Sequence, residues 1–205
     1  MCVDLKEHWE NIYSIRKPEE VSWYQPYPKV SMDIILSLNL SLRAAIIDVG
    51  GGDAFLADVL LEKGFSNLSV LDISQNVIQR AKHRMGDRSQ SVNWINEDIR
   101  EWQPVGQYDV WHDRAVLHFL RKPEEINKYV QTAAAALKKD GILVIGTFSE
   151  DGPQKCSGLE VQQYSVNRME ETFSAQFNRI SHFTHIHVTP NKKEQEFLFM
   201  LLQRK

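Results

Sequence analysis

Three carboxylates and a pair of glycines carry the first chemical signal in this chain. Asp48 closes an apolar run, Ala45–Val49, and Gly50, Gly51 and Gly52 follow at once. Glycine lets the backbone turn with positive φ and lets a ligand approach the main chain where a Cβ would block it. Helical spacing resumes with Phe55, Leu56, Val59 and Leu60, so the glycines sit at a strand-to-helix junction. A second apolar run, Leu68–Ile73, has its acid, Asp72, 24 residues after Asp48, an interval that holds one helix and a short loop. An acid so placed accepts hydrogen bonds from both hydroxyls of a ribose. A third run, Val92–Ile95, leads into Asn96, Glu97, Asp98 and Ile99. Each acid alone has an alternative reading as a solvated strand end or a helix cap, and for Asp98 the two readings weigh equally. Three at successive strand ends read as one edge that holds an adenosine-containing ligand.

Two such ligands are in question. The pyrophosphate of a dinucleotide uses helix N-terminal amides and a fingerprint whose third glycine is Phe55 here. Asp48 beside the site suits a ligand with an ammonium and a sulfonium better than one with two phosphates. The acid-x-Gly-x-Gly pattern of Asp48, Gly50 and Gly52 resembles the first motif of the class I S-adenosylmethionine-dependent methyltransferases, with Ala54 in place of the usual third glycine. The resemblance covers Trp9 to Asp113. It implies S-adenosyl-L-methionine as donor and S-adenosyl-L-homocysteine as product, with Asp98 accepting from the adenine amino group and Ile73 and Ile99 sandwiching the ring.

The segment Tyr108–Leu120, YDVWHDRAVLHFL, brings ionisable groups to the edge where a sheet meets its next helix. Asp109 begins the strand at the far end and reads as a structural cap. Asp113 and His118 are candidate general bases, His118 four residues beyond Arg114 and on the same helical face, with a core histidine as its alternative. Arg114 either pairs with Asp113 or Asp98 or contacts the acceptor. The stretch His8–Pro28 is too polar and aromatic for an ordinary core helix, and residues 1–28 are expected to form a lid arm. Its Trp9, Tyr13 and later Trp23 resemble the start of thiopurine and thiol methyltransferases and of several protein-lysine methyltransferases. Trp23 would then face the sulfonium and Tyr24 the acceptor, excluding water. Residues 149–165 are polar and aperiodic, and are expected to wall the acceptor pocket. There Cys156 either contacts a soft substrate or is incidental. His185 and His187 lack a third ligand nearby, so no metal is expected.

The elements that must position these groups alternate strand and helix. Helices are expected at Lys29–Leu38, Phe55–Lys63, Gln75–Met85, Pro123–Lys138 and Asn167–Phe177, and strands at Ala45–Val49, Leu68–Asp72, Val92–Ile95, Tyr108–Trp111, Ile142–Thr147, His182–Thr189 and Glu196–Gln203. The fold class is α/β: a Rossmann-like three-layer αβα sandwich, its seven-stranded, mostly parallel sheet ending in an antiparallel hairpin across Pro190–Lys193. The 205 residues, 42% of them hydrophobic, suit a single domain over 1–205. A net charge of −3 argues against a nucleic-acid partner, and no apolar run reaches membrane-spanning length. Cys2 and Cys156 cannot build a disulfide framework, and MCVDLKEHWE lacks the apolar core of a signal peptide, so a cytoplasmic location is expected. The expected activity is methyl transfer to a small nucleophile, a thiol being favoured by the arm and by Asp113-Arg114. A protein lysine is the alternative acceptor, and a non-catalytic binding module the second alternative; oligomeric state is not legible.

Overall fold

The computed structural model describes residues 4–205; Met1–Val3 of the expected arm lie outside the described residues. The chain runs through α1 (Leu5–Ile15), α2 (Lys29–Ser37), β1 (Ala45–Val49), α3 (Phe55–Glu62), β2 (Asn67–Asp72), α4 (Gln75–Met85), β3 (Val92–Asn96), β4 (Tyr108–Arg114), α5 (Pro123–Ala136) and β5 (Leu137–Phe148). A two-stranded ribbon, β6 (Lys155–Cys156) and β7 (Leu159–Glu160), precedes α6 (Val166–Phe173), β8 (Phe177–Val188) and β9 (Glu194–Arg204). The main sheet has the order β3-β2-β1-β4-β5-β9-β8. Its first five strands are parallel, and β9 inserts antiparallel between β5 and β8. This is the three-layer sandwich with a reversed C-terminal hairpin that the alternation of elements implies.

All five residues of β1 are buried, as expected of a central strand covered on both faces. Successive side chains point to opposite faces. Ile47 and Val49 therefore join a core with Trp111 and with Tyr129 of α5 and Phe173 of α6. Ile46 joins the other core, built with Met32 and Ile35 of α2, Leu56 and Leu60 of α3 and Ala81 of α4.

Two regions hold regular elements that the sequence reading does not include. Residues Leu5–Ile15 form a regular helix, started by the Asp4 carboxylate, which accepts from the amides of Lys6 and Glu7. None of its residues is fully buried, so its polarity reflects a helix lying on the domain rather than in it. The aperiodic stretch after β5 contains the β6–β7 ribbon, too short for a period-2 pattern to register.

At Arg114 the neighbour on β5 is Gly146, and opposite Gly146 on β9 stands Phe199. A Cβ at Gly146 would lie 2.5 Å from the Phe199 ring, so glycine is what lets β9 close on the sheet beneath Arg114. Gly146→Ala should lower stability by roughly 1–3 kcal/mol through overpacking. Gly106→Ala, where a Cβ meets nothing within 4 Å, should change it by less than about 0.5 kcal/mol. Urea unfolding of the two variants checks this, and equal midpoints would reject the packing argument.

Candidate active site

At the C-terminal edge of the sheet the chain turns sharply through Gly50 (φ +66°), Gly52 (φ +55°) and Ala54 (φ +57°). Ala54 holds the left-handed conformation that glycine would adopt without strain, so the family-like turn survives the substitution at a local cost. Gly50 N donates to Leu71 O at 2.7 Å, and Gly52 N donates to Asp72 Oδ2 at 2.9 Å. Ser74 N donates to Asp72 Oδ1 at 2.9 Å. Each carboxylate oxygen keeps acceptor capacity beyond these bonds. Burial, with smaller contributions from Asp48 and Asp53, pushes the Asp72 carboxyl up to about 6.

Above the turn lies a cleft of about 750 Å³ whose lining includes Gly50, Asp72, Ile73, Asp98 and Ile99. Two isoleucines and a carboxylate with spare acceptor sites fit an adenosine group: apolar surface for the base, oxygens for the ribose. A Cβ at Gly52 would lie 3.3 Å from the Tyr13 hydroxyl, so glycine is what leaves room for the arm to pack closely over the turn. Asp98 lines the cleft as expected, but its carboxylate is already clasped by Arg100 at 2.5 and 3.0 Å. Any contact it makes to an adenine amino group is shared with that guanidinium. A second cavity, about 590 Å³, is lined by Tyr24, Asp48, Gly52, Phe55 and His112 among others; the two cavities have Trp23, Gly50 and Arg114 in common.

Strand β4 runs three residues beyond the expected Trp111, and this decides the fate of three candidates. His112 and Asp48 are register partners on adjacent strands. On their face, His112 Nδ1 meets Asp48 Oδ1 at 2.7 Å, and Nε2 meets Ser31 Oγ of α2 at 2.8 Å. With Nδ1–H donating to the carboxylate, Nε2 accepts from the serine hydroxyl. The negative charge expected to stand free at Asp48 is therefore engaged by an imidazole. The sequence placed His112 near the site without a role; only register shows that it faces Asp48.

Asp113 points to the opposite face. It accepts from Val116 N (2.8 Å), Leu117 N (3.1 Å) and the Tyr129 hydroxyl (2.5 Å), and it is fully buried. Burial raises its carboxyl to about 6, but the side chain lines neither cavity. The expectation of a general base is corrected here: Asp113 fastens the turn after β4 to α5. His118 is corrected likewise. It is fully buried beside the rings of Phe119 and Phe148, neither ring nitrogen has a partner, and burial with the nearby Arg114 charge lowers it to about 3. It is a neutral core residue away from both cavities.

Arg114 does reach the site. It pairs with neither Asp113 nor Asp98; Nη1 donates to Trp23 O at 3.2 Å and the guanidinium lies over the Phe197 ring at 4.7 Å. The next residue, Ala115, holds φ +79°, a strained backbone beside the ligand edge. Cys156 lines the first cleft, where burial pushes its thiol up to about 11 and keeps it protonated at neutral pH. Asp109 lies at the far end of β4, accepting from Ala45 N and pairing with Lys138. His187 donates from Nε2 to Ser22 O at 2.7 Å, which ties β8 to the arm.

The arm itself is docked by contacts that the sequence reading missed. Glu10 accepts from Ser74 Oγ, Gln75 N and Asn76 N at 2.7, 2.8 and 3.0 Å, capping α4 from outside. Arg80, held bidentately by Asp53, donates to Tyr13 O and Arg16 O. Trp9 packs edge-on against Trp23 and Phe119, which brings Trp23 over the cleft. Tyr24 meets Phe55 edge-on at the second cavity. Nothing in the spacing of Glu10 marks it as a cap, because its partner helix begins 65 residues later.

Known proteins resemble this chain in sequence and fold. A family model described as a methyltransferase domain matches residues 47–143. Malonyl-[acyl-carrier protein] O-methyltransferase 2 of Ilyobacter polytropus is 28% identical over 107 residues, 52% of this chain and 40% of that protein. The eEF1A lysine and N-terminal methyltransferase of Bos taurus is 23% identical over 141 residues, 68% of this chain and 20% of that protein. The chain thus matches less than half the length of these curated relatives. Among solved structures, the N-methyltransferase NodS of Bradyrhizobium japonicum in complex with S-adenosyl-L-homocysteine has the same fold, with TM-score 0.72, 14% identity and coverage of 98% of this chain and 99% of that one. With its glycine turn tied to Asp72 and its reversed seven-stranded sheet, the chain has the fold of the S-adenosylmethionine-dependent methyltransferases, and residues 47–143 match a methyltransferase domain.

Proposed function

We propose that this chain transfers a methyl group from S-adenosyl-L-methionine to a small-molecule nucleophile that arrives already ionised, a thiolate or another anion. The observation that supports the donor is the buried Asp72 carboxylate, fixed by Gly52 and Ser74 at the floor of an apolar cleft between Ile73 and Ile99. The donor's sulfonium supplies its own activation, so the protein's part is to align the acceptor and exclude water. The two bases suggested by the sequence are withdrawn from the cavities, which supports an acceptor that needs none. Trp23 and Tyr24, carried by the arm over residues 4–28, close the site against water, and Cys156 brings the 149–165 segment to its wall. A protein-lysine acceptor is the second reading, supported by the likeness to the bovine lysine methyltransferase across 68% of this chain. Labelled donor with panels of small thiols, carboxylates and cell proteins tests the assignment. Methyl transfer to a protein band alone would favour the second reading, and binding of donor without transfer to any acceptor would leave a binding module.

Two further outcomes are expected. Ribose hydroxyls donate to ionised Asp72, so affinity for S-adenosyl-L-homocysteine should climb as pH rises through about 6 and level off above it. One pH unit below that value, binding should be about tenfold weaker. In the free protein the sign is opposite: a carboxyl raised above its ordinary value holds its proton in the fold, so this group's contribution to stability falls as pH rises from about 4 to about 6. Calorimetric titration across this range checks the first effect, and an Asp72→Asn variant with the same pH profile would remove Asp72 from the site.

Glu10→Ala should loosen the arm without unfolding the sheet. Loss of an N-terminal cap costs about 1 kcal/mol, or about fivefold in a docking equilibrium. Affinity for S-adenosyl-L-homocysteine should drop by about that factor while the global unfolding midpoint moves little. Full affinity together with faster proteolysis between Ile15 and Val21 would show that the arm does not serve the cleft.

A further inference from the structure

Arg114 is a cation without a counter-ion. Its Nη2 is buried and has no hydrogen-bond partner, its Nη1 has only the neutral carbonyl of Trp23, and no carboxylate lies within 4 Å of it among the described residues. A guanidinium partly withdrawn from water, with one nitrogen buried and unpaired, is costly, and truncating such charge pairs elsewhere shows that an unpaired member is what the fold cannot offset. The surrounding groups compensate it only weakly: Asp48 attracts it from beyond ion-pair distance but is bonded to His112, Phe197 presents a ring face, Cys156 a protonated thiol, and His118, His185 and His187 are all biased towards the neutral form. The side chain nonetheless lines both cavities at the point where they meet, one residue before the strained Ala115.

Resting on the methyltransferase reading, we propose that Arg114 is the anchor for a carboxylate carried by the methyl acceptor. Phe197, His185 and His187 come from β9 and β8, on the opposite side of β4 in the sheet from the β1 to β3 strand ends that hold the adenosine-sized cleft, and Cys156 joins them from the 149–165 segment at the wall of that cleft. That side of the site belongs to the acceptor. The acceptor class is therefore a small organic acid, and a protonated lysine would meet like charge at this position. The donor carries a carboxylate too, on its amino-acid end, and the same chemistry at Arg114 from that source is the competing outcome.

The test uses the full chain in chloride-free buffer. Binding of S-adenosyl-L-homocysteine is measured first; failure to bind would overturn the methyltransferase reading itself and is read before any acid is added. With that ligand saturating, benzoate and hexanoate are then titrated against benzamide and hexanamide. Each acid should bind at least about tenfold tighter than its amide, the worth of one charge-assisted hydrogen bond. Arg114→Met should abolish the preference and Arg114→Lys retain part of it. Equal binding of acid and amide to the unaltered protein overturns the proposal, and needs no variant to fold. A preference that survives in Arg114→Met also overturns it. So does a tenfold loss of S-adenosyl-L-homocysteine affinity in that variant that is absent for the analogue lacking the amino-acid carboxylate, because Arg114 would then serve the donor.

Discussion

The site is organised around a buried charge that must be satisfied. Asp48 ends the central strand at 6% exposure, where an unpaired carboxylate would be prohibitively costly. His112 from the neighbouring strand meets it, and Ser31 from α2 meets the other imidazole nitrogen. The chain of three fixes the β1–β4 register, the imidazole tautomer and the seat of α2 on the sheet. Because α2 begins directly after Pro28, the same bonds set where the arm leaves the domain and so where Trp23 and Tyr24 stand. Because β1 continues into Gly50, they also set the level of the glycine turn.

From this anchor the two cavities follow by strand geometry. Side chains of β4 alternate, so Val110, His112 and Arg114 look towards α2 and the arm, whereas Trp111 and Asp113 look towards α5. One face of the strand end is thus spent on ligand-side contacts and the other on holding the turn. Asp113 and Tyr129 are as much a part of the site's construction as Asp48 is, although they contact neither cavity. Under the proposed anionic acceptor, withdrawing Asp113 from proton transfer costs the reaction little, since such an acceptor would require only placement and dryness.

The arm shows how a polar segment is made to stay on a domain. Its polar hold points are charge-assisted or backbone bonds of long sequence separation, among them Glu10 on the start of α4, Arg80 on the carbonyls of Tyr13 and Arg16, Arg114 on the carbonyl of Trp23, and His187 on Ser22. None depends on burying the helix, which explains why α1 can be regular and yet lack a buried face. Attachment through exchangeable hydrogen bonds detaches at lower cost than the packing of a core element would.

What the sequence alone determined was local or periodic. The strand and helix alternation, the hairpin, the glycine turn and the acids at the ends of β1 and β2 all lie in short windows, where hydrophobic period and glycine spacing act directly. The class of ligand followed from Asp48, Gly50, Gly52 and Asp72 because a turn and two strand ends leave few alternatives for the groups they present. Tertiary structure decided everything that depends on facing. Whether β4 stopped at Trp111 or at Arg114 changed whether Asp113 belonged to a loop or to a strand of fixed alternation, and with it which face it joined. His118 could not be told from a site residue until Phe119 and Phe148 enclosed it. Asp48 with His112, Glu10 with α4, and Arg114 with Phe197 are pairs separated by 64 or more positions, created by strand register and docking rather than by spacing. Periodicity records which side of an element is apolar; it carries no record of which distant polar group will stand opposite a buried charge.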